Sequence, residues 1–412
     1  MTESPTARGR ALSALRRVNC ERAFSQRALD EELEEGELDA RDCALATELV
    51  YGTLTWRRPL DEVLERFVDG GLERLDESVH RILRVGAYQL LMLDRIPARA
   101  AVDEAVDAAH RRGQSAASGL INAVLRRVSD LGGEPPWIDD RGGGSTVSRI
   151  GRRYSLPNWI ANRLVQLYGE SRAETLADRL ARRPPYFLRI RKRTTTAQMR
   201  TLDVDWSRVS GIPRAVRIGS FSGAVRRGLE EGRWGVQDVG SQLVGELVGA
   251  AGGDAVLDAC AGRGGKTFQL AEQVGASGDV VAVDDESWKL EQLRSRARLL
   301  GLAERIELQS ADLREFADRC DRSFDRVLVD APCSGLGTLR RRPEIRWRRD
   351  ESEVPDLVDR QRELLRAAAS LVRPGGQLVY AVCTFTSEEG PKRIRRFLDD
   401  SGSGTTGDRS RA

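Results

Sequence analysis

From about Trp234 onward, short apolar, β-branched runs alternate with stretches of helical periodicity, and this alternation most narrows the fold. Strands are expected near 254–259, 280–284, 306–309, 325–330 and 377–382, with helices between them. Such units build a parallel, doubly wound sheet, whose ligands gather at the carboxyl ends of its strands. The run V-L-V-D-A-P-C (327–333) ends in Asp330, Pro332 and Cys333, and Pro332 stops the ladder by removing a donor. The run L-V-Y-A-V-C (378–383) also ends in a thiol, Cys383. Two cysteines at two strand tips, with a glycine-rich loop after a third strand, form a constellation. G-V-Q-D-V-G-S-Q (235–242) predicts a lead-in helix capped by Asp238 or Ser241.

Residues 8–130 read as all helix. Val79, Ile82, Leu83, Gly86, Ala87 and Leu90 make an amphipathic stripe, and Leu120, Ile121, Val124, Leu125 and Val128 repeat it. Ala101, Val102, Ala105, Val106 and Ala109 give a small-residue helix suited to close packing. At 131–151 the composition shifts to Gly, Pro, Asp and Ser, which marks a linker. Residues 152–235 are mixed: Pro157 stands near a helix start, and P-P-Y-F-L-R-I-R reads as a strand. Arg189 and Arg191 fall on one face of that strand, and either meet phosphates or form a solvated face.

With 412 residues there is room for two or three domains, and 40% hydrophobic with 31% charged residues is ordinary for a soluble protein. No apolar run has the length of a membrane span and the N-terminus lacks a signal-peptide core, so the expected location is cytoplasmic. Six scattered cysteines without a C-x-x-C pair, and only two His, argue against a zinc site and a disulfide framework; no metal is expected. The net charge of +3 does not announce nucleic acid. Basic residues are almost all Arg, with four Lys, which singles out Lys266.

The glycine-rich loop is D-A-C-A-G-R-G-G-K-T (258–267). Gly262, Gly264 and Gly265 let the backbone approach a ligand, and the following helix offers its N–H groups. A Walker A loop would need Gly where Cys260 stands, and a dinucleotide fingerprint would need a third Gly where Thr267 stands. S-adenosylmethionine suits a glycine turn followed by acids at the next strand tips, here Asp284 and Asp312. Either acid alone would be an ordinary helix cap.

Several strings carry a family resemblance. R-D-C-A-L-A-T-E-L-V-Y-G-T-L, R-I-L-R-V-G-A-Y-Q-L-L-M-L-D-R-I-P-A-R-A-A-V-D-E-A-V and G-L-I-N-A-V-L-R-R-V resemble a NusB-type RNA-binding helical domain. The loop at 258–267, V-D-A-P-C-S-G-L-G-T-L-R-R-R-P-E-I-R-W and L-V-Y-A-V-C-T-F-T-S-E-E resemble the signature motifs of the RsmB/Sun/Nop family of RNA 5-methylcytosine methyltransferases. The resemblance implies a NusB-like all-α bundle (8–130), a linker (131–151) and a small α/β RNA-binding subdomain (152–235). An α/β Rossmann-like S-adenosylmethionine-dependent methyltransferase sheet (236–398) and a disordered tail (399–412) follow, with the family's C-terminal strand pair missing. It implies S-adenosyl-L-methionine as cofactor and ribosomal RNA, of the small subunit, as partner of a monomer.

Its catalytic pattern makes Cys383 the nucleophile that adds to cytosine carbon 6, while Cys333 assists product release. Asp330 holds the base edge, and the Lys266 ammonium favours a thiolate. Cys260, Ala261, Gly262, Arg263, Gly264, Gly265, Lys266, Asp284, Asp312 and Asp330 would bind the cofactor. Cys20, Cys43 and Cys320 are read as small buried hydrophobes. The arginines Arg340, Arg341, Arg342, Arg346, Arg348 and Arg349 are expected to hold RNA phosphates, with Trp347 in core or stacking. Arg263 stands where the family has Pro, and Val382 where it has Thr. The rival readings are an RNA-binding assembly protein with an inactive domain, and a Rossmann dehydrogenase.

Overall fold

The computed structural model describes residues 6–34, 38–132 and 144–401. They form two compact units: the chain up to Arg183 together with Leu336–Glu351, and Pro184–Gly335 together with the chain from Ser352. The N-terminal part of the first unit is helical, with α1 (Ala7–Cys20), α2 (Ser25–Glu34), α3 (Ala40–Thr55), α4 (Arg57–Glu65), α5 (Glu77–Met92), α6 (Ala98–Arg111), α7 (Ser118–Ser129), α8 (Thr146–Arg153), α9 (Asn158–Tyr168) and α10 (Glu170–Ala181). Asp76 caps α5 by accepting from Ser78 N at 2.7 Å. Val79, Ile82, Leu83 and Ala87 are buried as their stripe predicts, and a Cβ at Gly86 would come within 2.6 Å of Leu125 Cδ1. The missing side chain therefore lets α5 and α7 approach. On α7, Ile121, Val124, Leu125 and Val128 are buried but Leu120 is 36% exposed, because it lies one residue, or about 100°, behind that stripe.

The stretch expected to be a linker at 131–151 contains the start of α8. Its serine is a cap rather than a spacer: Ser145 Oγ accepts from Ser148 N at 3.2 Å. The remainder of that stretch, 133–143, lies outside the described residues. Helices α8–α10 belong with the helical unit, so the small α/β portion begins at the first strand and not at residue 152.

In the second unit, β1 (Tyr186–Ile190), β2 (Trp206–Arg208), β3 (Ala215–Ile218) and β4 (Trp234–Val236) pair antiparallel in the order β2-β3-β1-β4. The single turn α11 (Thr196–Met199) and α12 (Gly223–Glu230) complete this layer around buried Trp234, whose Nε1 donates to Val225 O at 2.9 Å. Then α13 (Val239–Leu247), capped by Asp238, leads into β5 (Ala255–Asp258), β6 (Asp279–Asp284), β7 (Ile306–Ser310), β8 (Phe324–Asp330) and β9 (Val372–Ala381). All neighbours in this sheet are parallel, in the order β7-β6-β5-β8-β9. Side chains alternate between its faces: Val256, Val280, Ala282 and Leu328 pack beneath α14 (Thr267–Val274) and α15 (Ser287–Leu300). Leu257, Val281, Val283, Val327 and Val329 pack on the other face with α16 (Leu313–Arg319). The first four strands fall where the apolar runs predict them, and β9 starts at Val372, ahead of the expected 377.

Arg189 and Arg191 are only 4% and 3% exposed, so neither a phosphate contact nor a solvated face describes them. Arg189 is on an inner strand and Arg191 directly follows it, and both bind the carboxylate of Glu272 on α14, Arg189 Nη1 at 2.5 Å. A buried guanidinium requires such a partner.

Leu336–Glu351, with the single turn α17 (Ile345–Arg348), belongs to the helical unit. Arg346 is fully buried there. Its Nη1 donates to Thr55 O at 3.1 Å and Ser155 O at 3.2 Å, and its Nη2 to Leu180 O at 2.5 Å. Arg348 Nη2 donates to Val18 O at 2.8 Å and to Ala23 O, and Trp347 Nε1 to Leu54 O at 2.8 Å. Arg340 Nη2 donates to Arg183 O at 2.6 Å, and the Arg342 guanidinium lies 5.0 Å from the Phe24 ring centroid. Thr55, Leu180 and Val18 lie in the last turns of α3, α10 and α1, where carbonyls lack helical partners and the dipole is negative. Arg340, Arg346 and Arg348, expected on phosphates, instead cap main-chain carbonyls. Helices α18 (Val354–Ser370) and α19 (Pro391–Asp400) complete the second unit. Thus α19 takes up the start of the expected tail at 399–412, and 402–412 lie outside the described residues.

Arg346→Ala strands those carbonyls and is expected to lower stability by roughly 3 kcal/mol in denaturant titration. Arg99→Ala, at a side chain 92% exposed, should change it by less than about 0.5 kcal/mol.

Candidate active site

Parallel strands bring their carboxyl ends to one edge of the sheet. In spatial order that edge carries Asp312 after β7, Asp284 ending β6, Asp258 and the glycine loop after β5, Asp330 ending β8, and Cys383 after β9. The two thiols meet there, with Cys333 Sγ 3.3 Å from Cys383 Sγ. The pairing of Asp330 with Ala381 puts both loops level. The hydrogen bond to Cys383, and burial, push the Cys333 thiol well above its ordinary value. Cys333 therefore holds its proton. Cys383 is exposed.

The glycine loop is tied to the sheet by Ala259 N donating to Leu328 O at 2.8 Å and Ala261 N to Val283 O at 2.9 Å. Gly262 and Gly264 have φ of 55° and 86°, a region that L side chains rarely adopt, and a Cβ at Gly264 would also strike Leu293 at 2.7 Å. A Cβ at Gly262 or Gly265 would meet nothing within 4 Å. The loop thus keeps an open side against which a ligand can lie. Gly262 N donates to Asp284 Oδ2 at 2.9 Å, so the second strand tip holds the loop. Asp284 also accepts from Glu286 N at 3.0 Å, with Lys289 Nζ at 3.5 Å. Arg263 lies over Trp288, 5.1 Å from the ring centroid. Burial pushes the Cys260 thiol far up, which leaves it a neutral lining group.

Asp258 is 1% exposed. Its Oδ2 accepts from Thr267 Oγ1 at 2.7 Å, and its Oδ1 is buried without a hydrogen-bond partner. An orphaned acceptor beside an open glycine cradle suits a ligand that brings a donor, and the ammonium and ribose hydroxyls of S-adenosylmethionine qualify. Asp258 was not singled out in the sequence, although its place as the acid ending β5 marked it.

Asp312 and Lys266 both have partners within the protein. Asp312 caps α16, accepting from Arg314 N at 2.8 Å, and pairs with the Arg314 guanidinium at 2.7 Å. That pairing holds its carboxyl low, at about 2. The Lys266 ammonium is hydrogen-bonded to Asp330 Oδ2. Cys20 is exposed, and Cys43 and Cys320 are half-buried, so none is the buried hydrophobe expected. Sequence reasoning also missed Glu389, a buried carboxylate that accepts from Ser334 N at 2.7 Å, next to Cys333. The cluster of Ser, Thr and Glu after Cys383 was its only local signal.

The comparisons with known proteins agree with this layout. The family model described as 16S rRNA methyltransferase RsmB/F matches residues 247–406, and the NusB family model matches 5–130. The chain is 34% identical over 403 residues to the probable ribosomal RNA small subunit methyltransferase B of Synechocystis sp., covering 96% of this chain and 89% of that one. It is 30% identical over 400 residues to the ribosomal RNA small subunit methyltransferase B of Escherichia coli, covering 92% and 89%. The crystal structure of PH0851 shares the fold, with a TM-score of 0.83 over 98% of this chain and 91% of that chain, at 24% identity.

Burial raises the Asp258 carboxyl to about 6. A carboxyl whose folded value lies above its unfolded one contributes stability that is fully present below the unfolded value and lost as pH rises through the folded one. Unfolding of the ligand-free protein should therefore show a stability loss between about pH 4 and pH 7, of order 3 kcal/mol at most. Asp258→Asn should flatten that slope in denaturant titrations across the same range.

Proposed function

Because this chain belongs to the ribosomal RNA small subunit methyltransferase B family, whose methyl donor is S-adenosylmethionine, we propose that it methylates carbon 5 of a cytosine in small-subunit ribosomal RNA through a covalent cysteine adduct. The observation that carries the reading is the 3.3 Å approach of Cys333 and Cys383 at neighbouring strand tips. Carbon 5 of cytosine is a poor nucleophile. Addition of the Cys383 thiolate to carbon 6 turns the ring into an enamine, splitting one hard step into easier ones.

Bound S-adenosylmethionine supplies a methyl group on an electrophilic sulfonium. Asp258, Gly262, Gly264, Gly265 and Asp284 would hold it, with Cys260, Ala261 and Arg263 lining the loop and Asp312 at the far strand tip. The Cys333 thiol donates to Cys383 Sγ and so favours the attacking thiolate. After methylation the same hydrogen bond stabilises Cys383 as it leaves carbon 6, which gives Cys333 its part in product release. Asp330, held by Lys266, faces the base edge and shares in moving the proton off carbon 5. The target base has to leave its stack to reach such a site.

The test is methyl transfer from labelled S-adenosylmethionine to unmodified small-subunit RNA. Cys383→Ala should lower transfer by at least about a thousandfold, as loss of a nucleophile does. Cys333→Ala should form adduct yet release it slowly, leaving protein–RNA complexes that survive denaturing gels. Transfer that persists in Cys383→Ala would overturn the covalent route. Wild type that binds RNA but labels nothing would favour an assembly factor with an inactive catalytic domain.

A further inference from the structure

Main-chain pairing of β8 with β9 runs to Asp330 and Ala381, and Ala331 N donates to Ala381 O at 2.9 Å. Both cysteines lie beyond that point, on loops. One fully buried carboxylate joins these loops. Glu389 Oε1 accepts from Ser334 N at 2.7 Å and from Gln361 Nε2 at 3.1 Å. Its Oε2 accepts from Ser334 Oγ and from Thr386 Oγ1, both at 2.6 Å. Ser334 Oγ is also 2.8 Å from Thr384 Oγ1, and Gln361 Nε2 donates to Pro332 O at 2.9 Å. Pro332 and Ser334 flank Cys333, and Thr384 follows Cys383. The network therefore grips the chain beside each thiol. The Tyr380 hydroxyl, donating to Glu389 O at 2.9 Å, fixes the backbone of the glutamate itself.

We propose that Glu389 is a positioning residue that holds the Cys333 and Cys383 loops together and so keeps the two Sγ atoms in contact. Its catalytic meaning rests on the two cysteines being the reactive pair. A carboxylate suits the place because both of its oxygens accept hydrogen bonds. No neutral side chain of this size offers two oxygens to four donors. Without it, Ser334 N–H and Gln361 are left with buried donors unsatisfied, and the loops relax to reach other partners. Misplacement of a reacting group by about 1 Å costs about a hundredfold in rate, so modest relaxation is enough to matter.

Proximity of the thiols is measurable without RNA, as the rate at which diamide converts Cys333 and Cys383 to a disulfide in the full chain, followed by peptide mass mapping. Glu389→Ala should slow this cross-link at least about tenfold, the worth of a buried hydrogen bond. Its S-adenosylmethionine affinity should stay within about twofold, because the network does not touch the glycine loop. A folded Glu389→Ala protein that cross-links at the wild-type rate overturns the proposal. If that variant fails to fold, Glu389→Gln decides: it keeps one acceptor for Ser334 N but turns a donor toward the hydroxyls. Slower cross-linking then supports the proposal, and the wild-type rate overturns it. Methyl transfer should fall in step with the cross-link. A slowed cross-link in a protein whose wild type transfers nothing upholds the positioning role and removes only the catalytic reading.

Discussion

The active edge depends on the parallel register of β8 against β9. Val327 faces Leu378, Val329 faces Tyr380 and Asp330 faces Ala381. A slip of one residue would move one loop by about 3.3 Å and turn every side chain of that strand to the other face. Val327 and Val329 would then exchange the core for the opposite layer. The register is thus enforced by burial along the strand, and the tips inherit it. A sheet built this way carries its chemistry in the order of its strands. The glycine loop sits centrally on β5, its supporting acid on β6 to one side, and the thiols on β8 and β9 to the other.

The chain leaves the second unit just downstream of Cys333. Two residues after Cys333 the chain passes into the segment that completes the helical unit, where Arg346 and Arg348 cap the carbonyls of α1, α3 and α10. Helix C-termini that converge without a cation would leave several buried carbonyls unpaired. The helical unit therefore takes part of its own stabilisation from a segment that interrupts the second unit. The string R-R-R-P-E-I-R-W is then chiefly an internal connector, with Glu344 accepting from Ser25 N at 3.2 Å as one more tie.

Strand positions were legible because burial on both faces of a parallel sheet leaves continuous apolar runs, and the thiols stood at the ends of two of them. Helices of the first unit were legible from their stripes. What the sequence concealed was the destination of charged side chains. Arg189 in β1 and Arg191 just beyond it alternate as a solvated face would, yet Glu272, some eighty residues away in the chain, claims both. The arginines after Cys333 look like a nucleic-acid patch by composition, and only the packed helices show that carbonyls receive Arg340, Arg346 and Arg348. Asp312 carries the same ambiguity in reverse, since a helix cap and a ligand-binding acid share one local pattern. Periodicity reports which face a residue occupies, while the partner on that face is set by distant chain.

The pairing of Lys266 with Asp330 bears on how a Cys383 thiolate would be supported in the proposed route. An ammonium bonded to Asp330 forms an ion pair, and the field of such a pair falls off as that of a dipole rather than of a full charge. The two thiols lie 3.3 Å apart, within reach of a hydrogen bond between them. A hydrogen bond from a neutral thiol is weaker than one from a cation, so the pair gains less thiolate but also stabilises it less against attack. Since nucleophilicity falls as a thiol becomes more acidic, that compromise suits the role proposed for Cys383, a thiolate that adds to a ring and later leaves it. In the proposed route Lys266 and Asp330, balanced against each other, would meet the polar edge of the base without introducing an unpaired charge.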